Sequence, residues 1–593
     1  MKYKKIPLAV LASGAIVYAC NKSELNQPAR GVLSDAELAN KKGVEGLLIG
    51  AYSVLNGMST DPVGGFGGTA SNWIYGSICG SEAYKGGGYE NTDQPDIFAL
   101  EQFTGTPYNV DLAEKWITVY DGIERTNTVL RVMREAQDMT APDTTEVRAE
   151  ALFLRAHFYF EAKKMWNDIP FADETVTYGS NNFFISNDTS WSMIEGDLNY
   201  AMNHLPATQD AAGRCNKYAA EALLAKAYMF EREYPQAKLL LEDLITNGET
   251  SGGAKYALLT RYADNFNPVN KNNSESVFSV QMSVNDGSAG SNGNTGDRLN
   301  FPRFNGGYGF FQPTQYLVNH FKTDSVSGLP DLDHFNDADV TNDEGVPSSD
   351  PFTPYSGTLD PRLDWTVGRR GIPYLDWGIH AGADWIRDGQ WAGPYNAVKN
   401  VYYMSNLAQY TNVNNSIWGD PTVTANNLNL IRFADVLLWA AEVEVEIGSL
   451  DKAQDYVNMI RNRMADHHEG WVHKYLDDNS PQNGSYTDDN HLAANYYIKP
   501  YPAGHFVAHG QDYARKAVRH ERMLELGMEG HRFFDLVRWG IADQEINVYL
   551  EKEKHLRAYL NGSVFTRNKN EYFPIPQSEI DKSGGTLKQN PGY

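Results

Sequence analysis

The sequence predicts a mainly α-helical protein in which helical hairpins pack against a loop-rich irregular lobe with few short strands. Helical periodicity recurs in separate blocks, at residues 35–57, 111–138, 146–166, 190–204, 216–247, 428–465 and 511–539. From about 251 to 427 the chain is instead rich in Gly, Asn, Asp and aromatic residues, with turn signals such as Asn305-Gly306-Gly307. We therefore expect a helical scaffold at about 35–250 and 428–593, and the irregular lobe at about 251–427.

Two of the helical blocks repeat each other at tetratricopeptide-like offsets. Twelve residues lead from Ala225 to Ala237 in the first block, and twelve from Ala441 to Ala453 in the second. Small residues at these positions let two antiparallel helices approach closely. In the second block Gly448-Ser449 suits a helix end followed by an N-cap. Since the repeats are degenerate and not consecutive, they predict divergent helical hairpins rather than a regular solenoid.

The first twenty residues have the pattern of an export signal. A head with three lysines precedes the apolar run Ile6–Ala19, which is shorter than the roughly 20 residues that a bilayer span requires. Cys20 follows the run, and the chain then becomes polar, which resembles a bacterial lipobox whose cysteine carries an acyl anchor. We expect a signal peptide at 1–19 and lipidation of Cys20. An ordinary signal peptide with an incidental cysteine is the alternative.

Composition excludes nucleic-acid binding and argues against a disulfide framework. The formal net charge is −24, and loss of the leader lysines makes it about −27, which repels nucleic acid and anionic lipid surfaces. Apart from Cys20, only Cys79 and Cys215 are present, without metal-ligand partners at short spacing. We predict that both are buried small hydrophobic residues.

Several short motifs occur in a characteristic order along the mature chain, residues 20–593. They are Cys20 with Leu25-Asn26-Gln27-Pro28, W-x3-Y-x-G-I-x-R-x-N over Trp116–Asn127, Arg148–Ala156 running to Trp166–Pro170, Asp360–Leu363, Leu430–Leu438 with Ala441-Glu442, Glu521–Leu526, Glu529–Trp539, Pro574-Ile575-Pro576 and Gln589–Tyr593. In this order, behind a lipobox, the motifs resemble the SusD/RagB family of Bacteroidetes outer-membrane lipoproteins.

The resemblance implies a binding protein without catalytic activity. Members of this family sit on the outer membrane over a SusC-like TonB-dependent transporter and help to load oligosaccharide or polysaccharide into it. The implied fold has tetratricopeptide-like helices on one side and a loop-rich ligand surface on the other. For this chain we therefore expect lipid attachment to the outer membrane, facing the cell exterior. We predict no catalytic residue, metal ligand or cofactor.

The charged residues of the motifs are predicted to hold the scaffold rather than the ligand. Arg522 and Glu525, like Asp535 and Arg538, lie three apart on helical stretches, where long side chains pair locally.

The ligand surface is expected where aromatic residues lie outside helical stripes. Sugars offer apolar C–H faces to flat rings, and hydroxyls to amides, carboxylates and arginine. Two segments supply such groups, one from residue 72 to 89 with three consecutive glycines, and one from 365 to 395. The predicted ligand-binding residues are Asn72, Trp73, Tyr75, Tyr84, Tyr89, Arg370, Tyr374, Trp377, Trp385 and Trp391.

Two other functional classes are alternatives. His468 and His473 resemble a zinc protease motif, but they are five residues apart rather than four and would not share a helical face. A glycoside hydrolase needs two carboxylates at no fixed sequence spacing, so it stays a less favoured alternative. The acidic run at 331–339 lacks EF-hand spacing and is interpreted as a solvated loop. The RagB branch makes peptide capture the other alternative.

Overall fold

The computed structural model describes residues 34–57, 65–88, 92–176, 189–288, 290–412, 423–477 and 491–593. Over these residues, two blocks of helices flank a segment with few helices, and the strands form three two-stranded sheets. This confirms the predicted fold class. No helix among the described residues has both the length and the apolar character needed to cross a membrane.

The helices fall into three groups along the chain. The first block contains α1 (Asp35–Leu38), α2 (Lys41–Ser53), α3 (Pro95–Glu101), α4 (Val110–Glu135), α5 (Ala141–Trp166), α6 (Thr189–His204), α7 (Lys217–Glu231) and α8 (Tyr234–Asn247). The lobe contains the short helices α9 (Gln315–His320), α10 (Leu363–Thr366), α11 (Gly389–Ala392) and α12 (Leu407–Tyr410). The second block contains α13 (Phe433–Ile447), α14 (Leu450–Asp466), α15 (His505–His509), α16 (Gln511–Leu526), α17 (Arg532–Trp539), α18 (Ala542–Glu553) and α19 (Gln577–Lys582).

Side-chain caps define where the long helices begin. The side-chain oxygen of Asn109 accepts a hydrogen bond from the amide of Leu112 at the start of α4, and Thr140 forms a capping box at the start of α5. At the predicted hairpin turn, α13 ends before Gly448, and Ser449 caps α14. The prediction for Gly448-Ser449 is confirmed.

The pairs α7–α8 and α13–α14 are the predicted hairpins. Ala225, Ala237, Ala441 and Ala453 are all fully buried, as expected where two helix backbones approach closely. Helix α8 also packs against α13, so the two hairpins are neighbours in space although the lobe separates them in sequence. Helix packing therefore joins the two blocks into one scaffold.

The strands connect the lobe to both helical blocks. Three antiparallel pairs form, between β1 (Ala83–Gly86) and β3 (Phe310–Pro313), β2 (Ser276–Val280) and β6 (Leu428–Arg432), and β4 (Val367–Gly368) and β5 (Asn396–Ala397). The prediction that helix begins at 428 is wrong, because the backbone of 428–432 pairs with β2, where Arg432 lies opposite Ser276. The helix begins at Phe433.

Arg362 lies at the centre of a buried ion network between the lobe and the second block. Its guanidinium, which has no exposed surface, lies 2.7 Å from carboxylate oxygens of Asp360 and Glu521 and 3.0 Å from Glu525. Glu525 also contacts Arg432 at 2.6 Å and Arg463 at 2.5 Å. Burial alone would raise the pKa of Glu525, but the three guanidinium groups hold it well below its usual range.

A second buried network joins α16 to α17. Asp535 accepts hydrogen bonds from Arg522 and Arg538, each at 2.8 Å, and Arg522 also contacts Asp435 at 2.7 Å. The predicted scaffold role of these charges is confirmed. Arg522 and Glu525 do not pair with each other, however, since each meets partners from other elements.

Both free cysteines occupy the interior. Cys79 and Cys215 are buried and unbonded to each other, which confirms the interpretation drawn from their spacing. Burial raises the pKa of both thiols.

Replacing Gly76 by alanine is expected to destabilise the fold, because two backbones touch at this residue. Gly76 lies in a π-helical turn, Trp73–Ile78, and a Cβ there would stand 1.8 Å from the carbonyl oxygen of Gly530. We expect a loss of about 1–3 kcal/mol in the free energy of unfolding, measured by urea denaturation. Gly46→Ala is the control, because its Cβ in α2 meets nothing within 4 Å, and it should add about 0.5–1 kcal/mol. Equal stability of the two variants would contradict this close approach.

Candidate functional site

The first predicted aromatic segment is buried rather than exposed. Trp73, Tyr75 and Tyr84 are each at most 1 % exposed. The Trp73 indole donates to the carbonyl of Gly296 at 3.3 Å, and the Tyr75 hydroxyl donates to the carbonyl of Asp111 at 2.8 Å. The expectation of surface rings here is wrong, because these polar tips find partners inside the protein and the rings pack in the core.

The Tyr84 hydroxyl donates to a buried carboxylate of α18, that of Glu553. The amide of Tyr316 donates to the other oxygen of Glu553 at 3.2 Å. Burial raises the pKa of Glu553 to about 7. Tyr84 and Glu553 therefore join β1 to the second helical block.

The two predicted polar ligand residues are also internal. Arg370 donates to the backbone carbonyls of Ser348 at 2.8 Å and Asp350 at 2.6 Å, so it fastens a loop of the lobe. The Asn72 amide donates to Glu161 at 3.1 Å and is largely buried. Neither side chain faces the outer surface, so the expectation that they contact a surface-bound ligand is wrong. Tyr89 and Cys20 lie outside the described residues.

The second segment does bring partly exposed rings together. Trp377 and Trp385 are half-buried and meet on Phe304, another half-buried ring. Phe304 stacks on Trp385 with ring centroids 3.8 Å apart and an angle of 26°, and it meets Trp377 edge-on at 5.4 Å. We call Phe304, Trp377 and Trp385 the ring cluster.

Short turns and one buried tyrosine position the ring cluster. Trp377 lies in a tight turn in which the amide of Tyr374 donates to the carbonyl of Gly378 at 2.9 Å, and its indole donates to the carbonyl of Tyr402 at 2.8 Å. Tyr374 is buried beneath the cluster, 5.5 Å from Phe304 and 5.8 Å from Trp385 between ring centroids. The expectation that Tyr374 contacts ligand is wrong, since it supports the rings from below.

Trp391 belongs to a separate ring pair on the same segment. It stacks on Tyr559 with centroids 5.1 Å apart and an angle of 25°. In the sequence between Trp385 and Trp391, exposed Arg387 forms an ion pair with Asp93 at 2.9 Å and donates to the carbonyl of Tyr308 at 2.9 Å. This segment thus combines partly exposed rings with a charged group.

Phe304 is the residue that the sequence reasoning missed. It lies in a 3₁₀ turn, Arg303–Asn305, which ends at Gly306 with a left-handed φ of 84°. The Asn305-Gly306-Gly307 turn signal identified this bend. An aromatic residue directly before such a turn is the sequence signal that points to Phe304.

A pH test follows from the raised pKa of Glu553. The pKa of Glu553 in the folded state, about 7, exceeds its ordinary value of 4.5. The protonated carboxyl therefore makes its full contribution to the free energy of unfolding below about pH 4.5. This contribution is lost as the pH rises through 7, because the buried carboxyl then loses its proton. Glu553→Gln should therefore gain up to about 3 kcal/mol of unfolding free energy relative to wild type between pH 5 and 8.

Urea denaturation at several pH values measures this difference. Glu551→Gln changes an exposed carboxylate on the same helix, and its unfolding free energy should follow the wild-type pH dependence. A constant difference between Glu553→Gln and wild type across this range would contradict the assignment.

The residues that resembled enzyme or metal motifs are engaged otherwise. His468 packs on Trp471 with centroids 4.0 Å apart. In the acidic run, Asp333 contacts Lys516 at 2.5 Å and Asp339 contacts Lys552 at 2.6 Å. Within the described ranges, no three His, Cys, Asp or Glu side chains are arranged to hold a metal ion.

The fold and this surface define a class of protein, a helical-repeat scaffold that carries an irregular lobe with partly exposed rings. The chain belongs to the SusD family, whose profile matches residues 274–593, more than half of its length. A second profile, described as starch-binding associating with outer membrane, matches residues 81–229. The resemblance inferred from the motifs is confirmed, and the ring cluster lies within the first matched region.

Curated relatives extend the similarity over most of the chain. SusD-like protein P25 of Formosa agariphila is 26% identical over 442 residues, covering 73% of this chain and 71% of that protein. A SusD-like protein of Bacteroides ovatus is 24% identical over 300 residues, covering 47% and 50% respectively.

Solved structures share the fold at low sequence identity. A SusD superfamily protein of Bacteroides vulgatus matches with a TM-score of 0.66 at 21% identity, over 93% of this chain and 99% of that one. Surface glycan-binding protein A of Bacteroides thetaiotaomicron, in complex with laminarihexaose, matches with a TM-score of 0.62 at 20% identity, over 93% and 99%. A laminarin binding SusD-like protein matches with a TM-score of 0.63 at 22% identity, over 93% and 100%.

Proposed function

We propose that this protein binds an oligosaccharide or polysaccharide at the cell surface and that the ring cluster is its platform. The observation that carries the proposal is the grouping of Phe304, Trp377 and Trp385. All three rings are half-buried, so each is held by the protein while part of it stays open to solvent. Internal packing leaves no free ring surface at Trp73, Tyr75 and Tyr84.

The chemistry of the surface suits a glycan. Sugar C–H faces pack on aromatic rings, and hydroxyl groups pair with carboxylates, amides and guanidinium groups. Asp384, Arg387 and Gln390 are exposed on the segment that carries Trp385 and Trp391. A platform of two or three rings is expected to bind at micromolar to millimolar concentrations, about 4 to 8 kcal/mol.

Two of the similar solved structures support a glycan as the ligand class. One is described as binding laminarin, and another was solved with laminarihexaose. Both share the fold of this chain.

We further propose that Cys20 anchors the protein by lipid to the outer membrane, facing outward, and that a SusC-like TonB-dependent transporter receives the cargo. The leader pattern of residues 1–20 supports the anchor. The description of the second profile supports a location at the outer membrane. Membership of the SusD family supports a transporter as the partner. In this role the protein delivers ligand without chemical change.

Binding of the purified mature chain to a panel of polysaccharides and peptide digests tests the proposal. We expect saturable binding to at least one glycan and intact ligand after incubation. Binding to peptides alone would replace the proposal by RagB-type peptide capture. Release of shorter sugars would replace it by glycoside hydrolysis.

A further inference from the structure

A cavity of about 100 Å³ with both apolar and polar lining lies inside the scaffold. Helices α5 and α7, the π-helical turn and strand β6 contribute to its wall. None of the three rings of the cluster lines it. Its polar lining includes Asn72, His157, Glu161, Lys164, Lys226, Asn400, Asn426 and His531.

Lys226 is the unusual residue of this cavity. The residue is only 9 % exposed. Among the described residues, its ammonium has one hydrogen bond, a long contact of 3.5 Å to the carbonyl of Leu430. The ammonium lies over Phe160 and Trp439, at 5.6 and 5.7 Å from the ring centroids. Within the described part of the chain, this ammonium forms no ion pair within 4.0 Å, since Glu161 pairs with Lys115 and Lys164 instead. An ammonium group has three donors, so most of its hydrogen-bonding capacity is unused.

Lys226 lies near Glu161 together with a second lysine, Lys164. Glu161 already meets two other lysines, Lys164 at 2.5 Å and Lys115 at 3.5 Å. Glu161 therefore already pairs with two buried ammonium groups, and it forms no ion pair with Lys226. Burial first, and then repulsion from Lys164, lower the pKa of Lys226 to about 8, so the group still carries a proton at pH 7.

The other carboxylates on the cavity wall have partners of their own. Glu529 lies 2.8 Å from Arg432 and 2.7 Å from Lys399. Asp297 accepts from Ser71 at 2.6 Å and from Asn294 at 2.8 Å. Asp435 and Asp535, outside this wall, favour the charged form of Lys226 from a distance, but both carboxylates pair with Arg522.

Three amide side chains of the cavity wall have polar atoms without a hydrogen-bond partner. Asn72 and Asn426 are each at least nine-tenths buried, and the side-chain oxygen of each accepts no hydrogen bond. Both side-chain atoms of Asn400 are buried without a partner as well. Buried amides without partners cost free energy that an apolar filling would not recover.

We propose that this cavity binds a small hydrated anion, of the size of phosphate or acetate, against the ammonium group of Lys226. The anion would accept the unused donors of Lys226, and its bound waters would satisfy the neighbouring amides. It would also offset the surplus positive charge that Lys115, Lys164 and Lys226 leave beside Glu161. This site is independent of glycan binding at the ring cluster.

Thermal unfolding of the purified mature chain in inorganic phosphate tests the proposal. Phosphate is added at constant ionic strength against potassium gluconate, whose bulkier anion does not fit the cavity. We expect the Tm of wild type to rise by about 1–2 °C, since an anion that binds only the folded state stabilises it. Lys226→Met keeps the packing of the aliphatic chain and should abolish the rise.

Lys42→Met is the matched control, because it removes one exposed lysine from α2 and should leave the rise unchanged. A rise that persists in Lys226→Met, or no rise in wild type, would overturn the proposal. If Lys226→Met does not fold, anomalous diffraction from bromide-soaked wild-type crystals decides. A bromide peak beside Lys226 within the cavity supports the site, and bromide confined to the outer surface overturns it.

Discussion

Replacement of Glu525 by glutamine is expected to lower the free energy of unfolding by about 3–5 kcal/mol. Glu525 has no exposed surface and meets Arg362, Arg432 and Arg463 at 3.0, 2.6 and 2.5 Å. A neutral amide would remove the negative charge that balances these buried guanidinium groups. Its NH2 group would also face a guanidinium N–H donor and could not accept a hydrogen bond from it. The midpoint and slope of urea denaturation measure the loss.

Asp512→Asn is the control for this experiment, because it also removes one carboxylate from α16. The Asp512 side chain is 95 % exposed and pairs with Arg515 at the surface, at 2.6 Å. Such surface pairs contribute little, so a change of less than about 0.5 kcal/mol is expected. If both variants unfold at the same urea concentration, the ion network does not hold the lobe on the scaffold.

Replacement of Trp385 by alanine is expected to lower glycan affinity at least about tenfold, or 1.4 kcal/mol. The substitution removes one face of the platform and also frees Phe304, which stacks on Trp385 at 3.8 Å. Because the indole is half-buried at the surface, the fold should persist. Titration calorimetry with the best ligand of the polysaccharide panel measures the affinity, and circular dichroism verifies folding.

Tyr108→Ala removes a ring from the scaffold that is 77 % exposed, and it should bind the glycan as wild type does. Trp377→Ala should weaken binding in the same direction as Trp385→Ala. Unchanged binding in both tryptophan variants, with loss in Trp391→Ala, would move the platform to the Trp391–Tyr559 pair.

Sequence reasoning located the helices better than the ligand surface. Ala225, Ala237, Ala441 and Ala453 were identified from spacing alone, since a helix that packs on another repeats its contacts every three to four residues. An aromatic residue in a loop has no such period. Trp73 and Trp385 look alike in sequence, yet one is in the core and the other reaches the surface.

The sequence by itself determined the helical class, the paired hairpins, the family and the scaffold role of its charged motifs. These follow from local periodicity, small residues at fixed offsets and motifs in order. Only the tertiary structure decided which rings are open, that Phe304 completes their cluster, and that Lys226 stands beside a cavity without a carboxylate partner. Each of these depends on contacts between segments far apart in the chain, and exposure and charge balance are properties of that packing.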